Sequence, residues 1–295
     1  MPASSSSPPS HTVEHPAELL TRLFAWCPDV KRTRVRQWLK HGAVHVNGRS
    51  VTQATHALQV GDVVSIHTKG DGGSKGLLPP GMKVLFEDAS LIVIEKPEDL
   101  LSVASSKEKK RTAYAFVTDY VRRGNPQSQN RVWIVHRLDR ETSGLMVFAK
   151  TETAKRVLQA GWEKTKKQYL AVVEGHPPTA KGVLSSNLDE SNPFKVRSAP
   201  RSERTRHAVT HYLVVKRDAT HALIELTPKT GRRNQLRVHL ADAKCPIIGD
   251  RKYGARSDPA RRLGLHATSL RFEHPSSGAV LRLESPLPRE LARLL

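Results

Sequence analysis

Cysteine is almost absent: Cys27 and Cys245 are the only two in 295 residues, far apart and each among apolar or small neighbours. That excludes a disulfide framework and a Cys-x-x-Cys metal knuckle, and makes reduced, partly buried thiols the expectation. Long apolar runs are missing as well. No stretch of about 18 apolar residues is available to cross a membrane, and no basic amphipathic helix presents an aromatic face, so no membrane partner is expected. The segment from Met1 to His15 is rich in Ser and Pro and lacks the apolar core of a secretory signal, so cytoplasmic residence is expected. Nucleotide-fingerprint glycines are also absent. Lys69 to Gly76 mixes glycine with lysine, but the spacing G-x-x-x-x-G-K-[ST] is not met and no apolar strand precedes it. His11-Thr12-Val13-Glu14-His15 fits the H-x-x-E-H spacing of some zinc peptidases, yet it lies beside Pro8, Pro9 and Pro16 in a segment that reads as disordered. No metal site is therefore expected.

Acidic residues are in deficit. Lys and Arg outnumber Asp and Glu by 48 to 28, a formal net charge of +20, and the pI is near 10.3. Such a balance points to a polyanionic partner, and with membrane signals missing it favours nucleic acid. The length allows more than one domain.

Along the chain, residues 1–17 read as a disordered tail, 18–67 as a small α/β module, 68–82 as a Gly/Pro-rich linker and 83–295 as a larger domain. The module shows an apolar helix near Leu19 to Trp26, a basic helix near Thr33 to His41, and strands around the hairpin signal Asn47-Gly48 and at Val63 to Ile66. Lys31, Arg32, Arg34, Arg36, Lys40 and Arg49 fall in a span without acidic residues, and Arg32, Arg36 and Lys40 recur at one-turn spacing. They can track a phosphate backbone or form a merely solvated face. The pattern resembles the alpha-L RNA-binding motif. In the larger domain, short β-rich runs outnumber helices: Leu91–Ile94, Trp133–Val135, Leu145–Phe148, Tyr169–Val173, Tyr212–Val215, Ala222–Leu226 and Leu281–Leu283. Helical periodicity is clear near Thr112–Arg122, Glu152–Trp162 and Asn234–Ala241. An α+β fold with a largely antiparallel or mixed sheet is expected.

The densest chemistry lies at His136-Arg137-Leu138-Asp139-Arg140-Glu141-Thr142-Ser143-Gly144-Leu145. A carboxylate sits between two arginines at the edge of a buried strand, either as a site or as a surface ion pair. The string His-Arg-Leu-Asp-x-x-Thr-Ser-Gly resembles the signature of RluA-type pseudouridine synthases. Lys167 to Gly175 is similar to that family's second motif and Thr230 to Leu240 to its third, in the same order. Gly249-Asp250-x-x-Tyr253-Gly254 and Leu265-His266-Ala267 extend the likeness from about Val84 onward.

The resemblance implies a bent central sheet flanked by helices, with the active-site cleft across its face. It also implies isomerisation of uridine to pseudouridine in structured RNA without a cofactor: N1 leaves C1′, the base rotates, and C5 joins C1′. Asp139 would be the carboxylate, attacking the sugar, attacking the base or removing a sugar proton. Arg237 would pair with it, hold its pKa down and fix its direction, or else contact phosphate. Tyr169 would stack on the base and help move the C5 proton, unless it is a core tyrosine. Arg137 would fill the gap left by a flipped nucleotide. His136 reads as structural, and Gly144 and Gly231 as serving turns or close approach. Lys195, Arg197, Arg201, Arg204 and Arg206 read as an RNA-facing loop or a solvated one. The chain departs from the family pattern at Arg233, Asn234, Glu98 and Asp99, which bears on substrate placement and local loop shape. Ribosomal RNA, of the large subunit first, is the expected partner of a monomer, with transfer RNA second. Alternatives are a non-catalytic RNA-binding or ribosome-assembly factor, and a glycosidase-like hydrolase, which would need two paired carboxylates.

Overall fold

The computed structural model describes residues 10–28, 30, 32–40, 42–47, 49–66, 77–106, 108–125 and 127–295. The chain divides into two compact units, ending at Leu77 and beginning at Leu78. Most of the expected linker, Lys31 and Gly48 lie outside the described residues, as do the side chains of Arg34 and Arg49.

The first unit contains β1 (Ser10–Thr12), β2 (Ala17–Glu18), α1 (Leu19–Trp26), α2 (Arg32–Lys40), β3 (Val44–Val46), β4 (Arg49–Ser50), β5 (Ala57–Leu58) and β6 (Val63–Ile66). Four strands pair in the order β1-β6-β3-β4, and β2 pairs with β5. Leu19 and Leu23 of α1 and Val35 and Leu39 of α2, each pair one turn apart, are buried against Val44, Val46, Leu58 and Val64. That stripe leaves Arg32, Arg36 and Lys40 exposed, with the guanidiniums of Arg32 and Arg36 5.3 and 5.5 Å from the Phe24 ring centre. Order begins earlier than the expected tail allows. Ser10–Thr12 extends the sheet beside β6, Val13 is buried, and His11 stacks on Trp26. The polar Ser-His-Thr triplet carries no apolar strand signal; Val13 and the open edge of β6 supply what the local sequence lacks.

The second unit is built on an eleven-stranded sheet. Its strands are β7 (Lys83–Glu87), β8 (Leu91–Lys96), β9 (Trp133–Ile134), β10 (Ser143–Ala149), β11 (Lys166–Glu174), β12 (Lys181–Asp189), β13 (Arg197–Ala199), β14 (Thr205–Arg217), β15 (His221–Pro228), β16 (Leu265–Glu273) and β17 (Val280–Glu284). The order is β13-β12-β14-β15-β11-β16-β10-β8-β7, with β17 on β16 and β9 on β10. The β10–β16 pair is parallel and the others are antiparallel, so the sheet is mixed, as expected.

Helices α3 (Ala113–Val121), α4 (Glu152–Gly161), α5 (Gln235–Asp242) and α6 (Arg289–Ala292) complete the unit. Strands β8 and β10 read as continuous apolar runs because both faces are covered. Ile92, Ile94, Met146 and Phe148 pack towards Ala113, Val117 and Val121 of α3. Leu91, Val93, Leu145 and Val147 pack with Ala154 and Leu158 of α4. Thr112 and Thr151 cap these helices by accepting from the amides of Ala115 and Ala154. Leu236 and Leu240 of α5, one turn apart, pack against Ala171, Val173, Ile224 and Leu226 of β11 and β15. That contact sets α5 against the middle of the sheet.

Candidate active site

Of the expected site residues, Asp139, Tyr169, Arg237 and Arg137 come together at the centre of this sheet. Arg137, Leu138, Asp139 and Thr142 ahead of β10, Tyr169 of β11, Thr230 to Arg232, and Asn234 to Arg237 line one pocket of about 110 Å³. That is small beside the roughly 300–1,000 Å³ of pockets for drug-sized ligands, and suits a single base.

The Asp139 segment is clamped from two sides. Buried Ser102 donates to the Leu138 carbonyl at 2.6 Å and accepts from the Leu138 amide at 3.0 Å. Lys96 is wholly buried and donates to the carbonyls of Pro97, Leu100 and Arg140 at 2.9, 2.8 and 3.1 Å. Burial pushes Lys96 down to about 7, against the pull of the Asp139 and Glu141 carboxylates. Beyond the aspartate, Gly144 has φ +114°, and a Cβ there would meet the Ala267 backbone at 2.3 Å, so the close approach expected of this glycine is real. Gly231 lines the pocket with open space where a Cβ would be.

Arg237 faces Asp139 as expected, but Asp250 is its closer partner. Its buried guanidinium forms a two-point ion pair with Asp250, donates to Glu141 Oε2 at 3.1 Å, and lies 3.9 Å from Asp139 Oδ2, too far for a hydrogen bond. Burial opposes its charge, but Asp250, Glu141 and Asp139 outweigh that and push its pKa up. The carboxyl of Asp139 is correspondingly not held down. Burial pushes it above its ordinary value, Arg237 opposes this, Glu141 adds to it, and Arg137 and Lys252 oppose it more weakly. The sequence pattern shows nearby guanidiniums; it does not show that the carboxyl sits in a pocket with its side chain 23% exposed.

Tyr169 sits at a bulge in the β11–β16 pairing, between Gln168 and Tyr169, which re-aims the side chain. Burial and the Asp139 carboxylate both push its phenol up, so it stays protonated. His136 is structural: its Nε2 accepts from the Val147 amide at 3.0 Å, its ring stacks on Trp162, and burial, with Lys167 adding, lowers its pKa to about 3. Arg137 is exposed at the pocket rim. The Arg140 side chain forms a solvent-exposed ion pair to Asp99 at 2.7 Å.

Each departure from the family pattern has a physical place. Asp99 adopts φ 53°, the left-handed region where the usual residue is glycine. Glu98 pairs with buried Arg262, which also holds Glu290 at 2.8 Å and donates to Ser143. Arg233 donates to the carbonyls of Glu190, Asn192 and Pro193, tethering the β12–β13 loop beside α5. Asn234 precedes α5 at φ 52° without capping it. Assigned from its partners, its amide nitrogen donates to Asp139 Oδ2 and Oδ1 at 3.1 and 3.3 Å, and its oxygen accepts from Tyr253 and Lys252. Gln235 fixes the rim by accepting from Thr230 and the Arg232 amide and donating to Val209 and Thr210 of β14.

Of the basic loop, Lys195 lies over the Tyr253 ring, Arg197 faces Asp189 at 3.7 Å, and Arg206 donates to the carbonyls of Glu203 and Thr205. Arg201 and Arg204 are exposed. Arg32, Arg36 and Lys40 belong to the other unit. The sequence marks Asp250 only as part of Gly249-Asp250-x-x-Tyr253-Gly254 and carries no signal for Ser102. Among the described residues no cluster of His, Cys, Asp and Glu could hold a metal, and no helix is long and apolar enough to cross a membrane.

Residues 90–242 match the family model described as RNA pseudouridylate synthase, and residues 23–64 match the S4 domain. The chain is 31% identical over 287 residues to the Vibrio cholerae protein named ribosomal large subunit pseudouridine synthase D, covering 90% of this chain and 86% of that protein. The Xanthomonas campestris protein of the same name is 32% identical over 296 residues, 94% of this chain and 86% of its own. Among solved structures, human RNA pseudouridylate synthase domain containing 4 superposes with a TM-score of 0.61 at 28% identity, covering 76% of this chain and 94% of that one.

Proposed function

The chain belongs to the RNA pseudouridylate synthase family, and from that membership we propose that it isomerises uridine to pseudouridine in large-subunit ribosomal RNA, with Asp139 as the reacting carboxylate. The observation that carries this reading is one pocket, sized for a base, lined by Asp139, Tyr169 and Arg237. The named relatives support the choice of RNA.

The reaction needs no electrons and no outside group, only an ionised carboxylate, a site for the detached base, and access to a nucleotide taken out of its stack. Asp139 acts in its charged form, whether on the sugar, on the base or on a sugar proton. Arg237 supplies positive potential 3.9 Å away and is itself held rigid by Asp250, so the field is preorganised. Tyr169, kept protonated, offers its ring to the base and its hydroxyl to proton movement. Arg137, exposed two residues before Asp139, fills the space left by the flipped nucleotide. Arg201, Arg204 and the exposed side chains of Arg32, Arg36 and Lys40 contact phosphates. The protein acts as a monomer in the cytoplasm and needs no cofactor.

The test is a comparison of pseudouridine maps of ribosomal and transfer RNA with and without the protein, read as carbodiimide-dependent primer-extension stops. Stops in large-subunit ribosomal RNA support the proposal. Stops confined to transfer RNA reassign the substrate, and release of free uracil turns the enzyme into a hydrolase.

A further inference from the structure

We propose that Asn234 is a positioning residue for the reaction: its amide grips both oxygens of Asp139, setting the plane of the carboxylate and holding its charge. This rests on the reading of Asp139 as the reacting group.

The geometry has three parts. First, Asp139 needs such a donor. Arg237 stands 3.9 Å away with two of its nitrogens committed to Asp250, and among the described residues the Asn234 amide is the hydrogen-bond donor within reach of Asp139, at 3.1 and 3.3 Å. Second, the direction of the amide is dictated from behind. Lys252 Nζ lies 3.3 Å from its far atom, and an ammonium can only donate, so that atom is the oxygen. Tyr253 Oη lies 2.9 Å from the same oxygen; it accepts from the Val196 amide at 3.2 Å, which leaves its own hydrogen for Asn234. The nitrogen must then face Asp139. Third, the backbone permits it. An N-cap residue ordinarily has extended backbone and turns its side chain onto the helix amides. Asn234 has φ 52° and makes no cap hydrogen bond, so its amide is free for the pocket. Asparagine tolerates this conformation better than most residues.

A carboxylate that accepts hydrogen bonds in its charged form is favoured in that form. Here the charge also faces Arg237, Arg137, Lys252 and Lys96, the acidic Glu141, and the neutral phenol of Tyr169. Burial pushes the carboxyl up, and the amide acts in the opposite sense.

The test uses the full-length protein and RNA tritiated at uridine C5, with tritium release as the readout. Asn234→Gly keeps the left-handed backbone and removes the amide, whereas Asn234→Asp keeps the shape and adds a like charge. Both are expected to move the acid limb of kcat upward, by about one pH unit or more, and to lower kcat at pH 7 by about 100-fold with KM nearly unchanged. A wild-type acid limb in both variants, or a rise in KM alone, would overturn the proposal. Should Asn234→Gly fail to fold, Lys252→Met, at an exposed position, must shift the limb in the same direction; an unmoved limb would overturn the proposal equally. An active Asp139→Asn protein would instead refute the reading of Asp139. A dead Asp139→Asn protein beside unaltered Asn234 variants would sink this inference alone.

Discussion

Arg237 binds Asp250 through two parallel contacts, Nε to Oδ2 at 2.7 Å and Nη2 to Oδ1 at 2.8 Å, and both side chains are buried. Asp139 therefore receives the field of a guanidinium whose geometry is fixed by a different carboxylate. An arginine held in this way can act on the charge of a neighbouring carboxylate without being tied up by it.

Removing Asp250 leaves Arg237 buried without its two-point partner, with Glu141, whose side chain is half-exposed, at hydrogen-bond distance. Asp250→Ala should lower stability by about 3–5 kcal/mol, seen as a large drop in the urea midpoint, and should reduce kcat in whatever protein stays folded. A midpoint within experimental error of wild type would show that the pair does not hold the site. Arg237→Lys keeps the charge but loses the fork, and should also lose activity.

Asp139 should trade stability for function. Its folded-state pKa is raised, so its charged form is penalised in the folded protein. Below the ordinary carboxylate pKa both states are protonated and the penalty vanishes; it grows as pH rises from that value to the raised folded-state value and is complete above it. Asp139→Asn should therefore melt above wild type at neutral pH, with a difference that closes in acid. Equal melting at both pH values would contradict this.

Lys96 has the opposite titration. Its pKa is lowered to about 7 in the folded state, while the unfolded chain keeps its proton to about 10.4. Between those values the unfolded state binds more protons, so the contribution of Lys96 to stability rises with pH, by at most about 1.4 kcal/mol per unit. Urea titrations at pH 7 and 9.5 should show wild type gaining on Lys96→Met. Because the ammonium also holds the Arg140 carbonyl, Lys96→Met should impair turnover as well.

Glu98 and Arg262 separate a replaceable partner from an anchor. Arg262 is buried and also bound to Glu290 and Ser143, whereas Glu98 is 40% exposed. Glu98→Ala should cost at most about 1 kcal/mol, and Arg262→Ala at least about 3 kcal/mol, measured by chemical denaturation. Equal costs would mean that Glu98 is the main partner.

Much of this was readable in the residues. The apolar runs at Leu91–Ile94 and Leu145–Phe148 are strands because helices cover both their faces, and Leu236 and Leu240 mark α5 by their spacing. β12 has no apolar strand pattern: Lys181–Asp189 carries Ser-Ser-Asn in its middle and takes its order from β14 beside it. β1 likewise takes its order from β6. At the site, Asp139, Tyr169 and Arg237 were identifiable through motifs, but the sign of the Asp139 shift was not, since local charge says nothing of burial. The part played by Asp250 and the facing of Asn234 depend on segments far apart in sequence, brought together only by packing.

The most direct test compares wild-type protein with a folded Asp139→Asn variant on the same large-subunit ribosomal RNA, mapping pseudouridine by carbodiimide-dependent primer extension. The account predicts stops at a uridine with wild type and none with the variant. Matching stops with both proteins, or none with wild type, would contradict it.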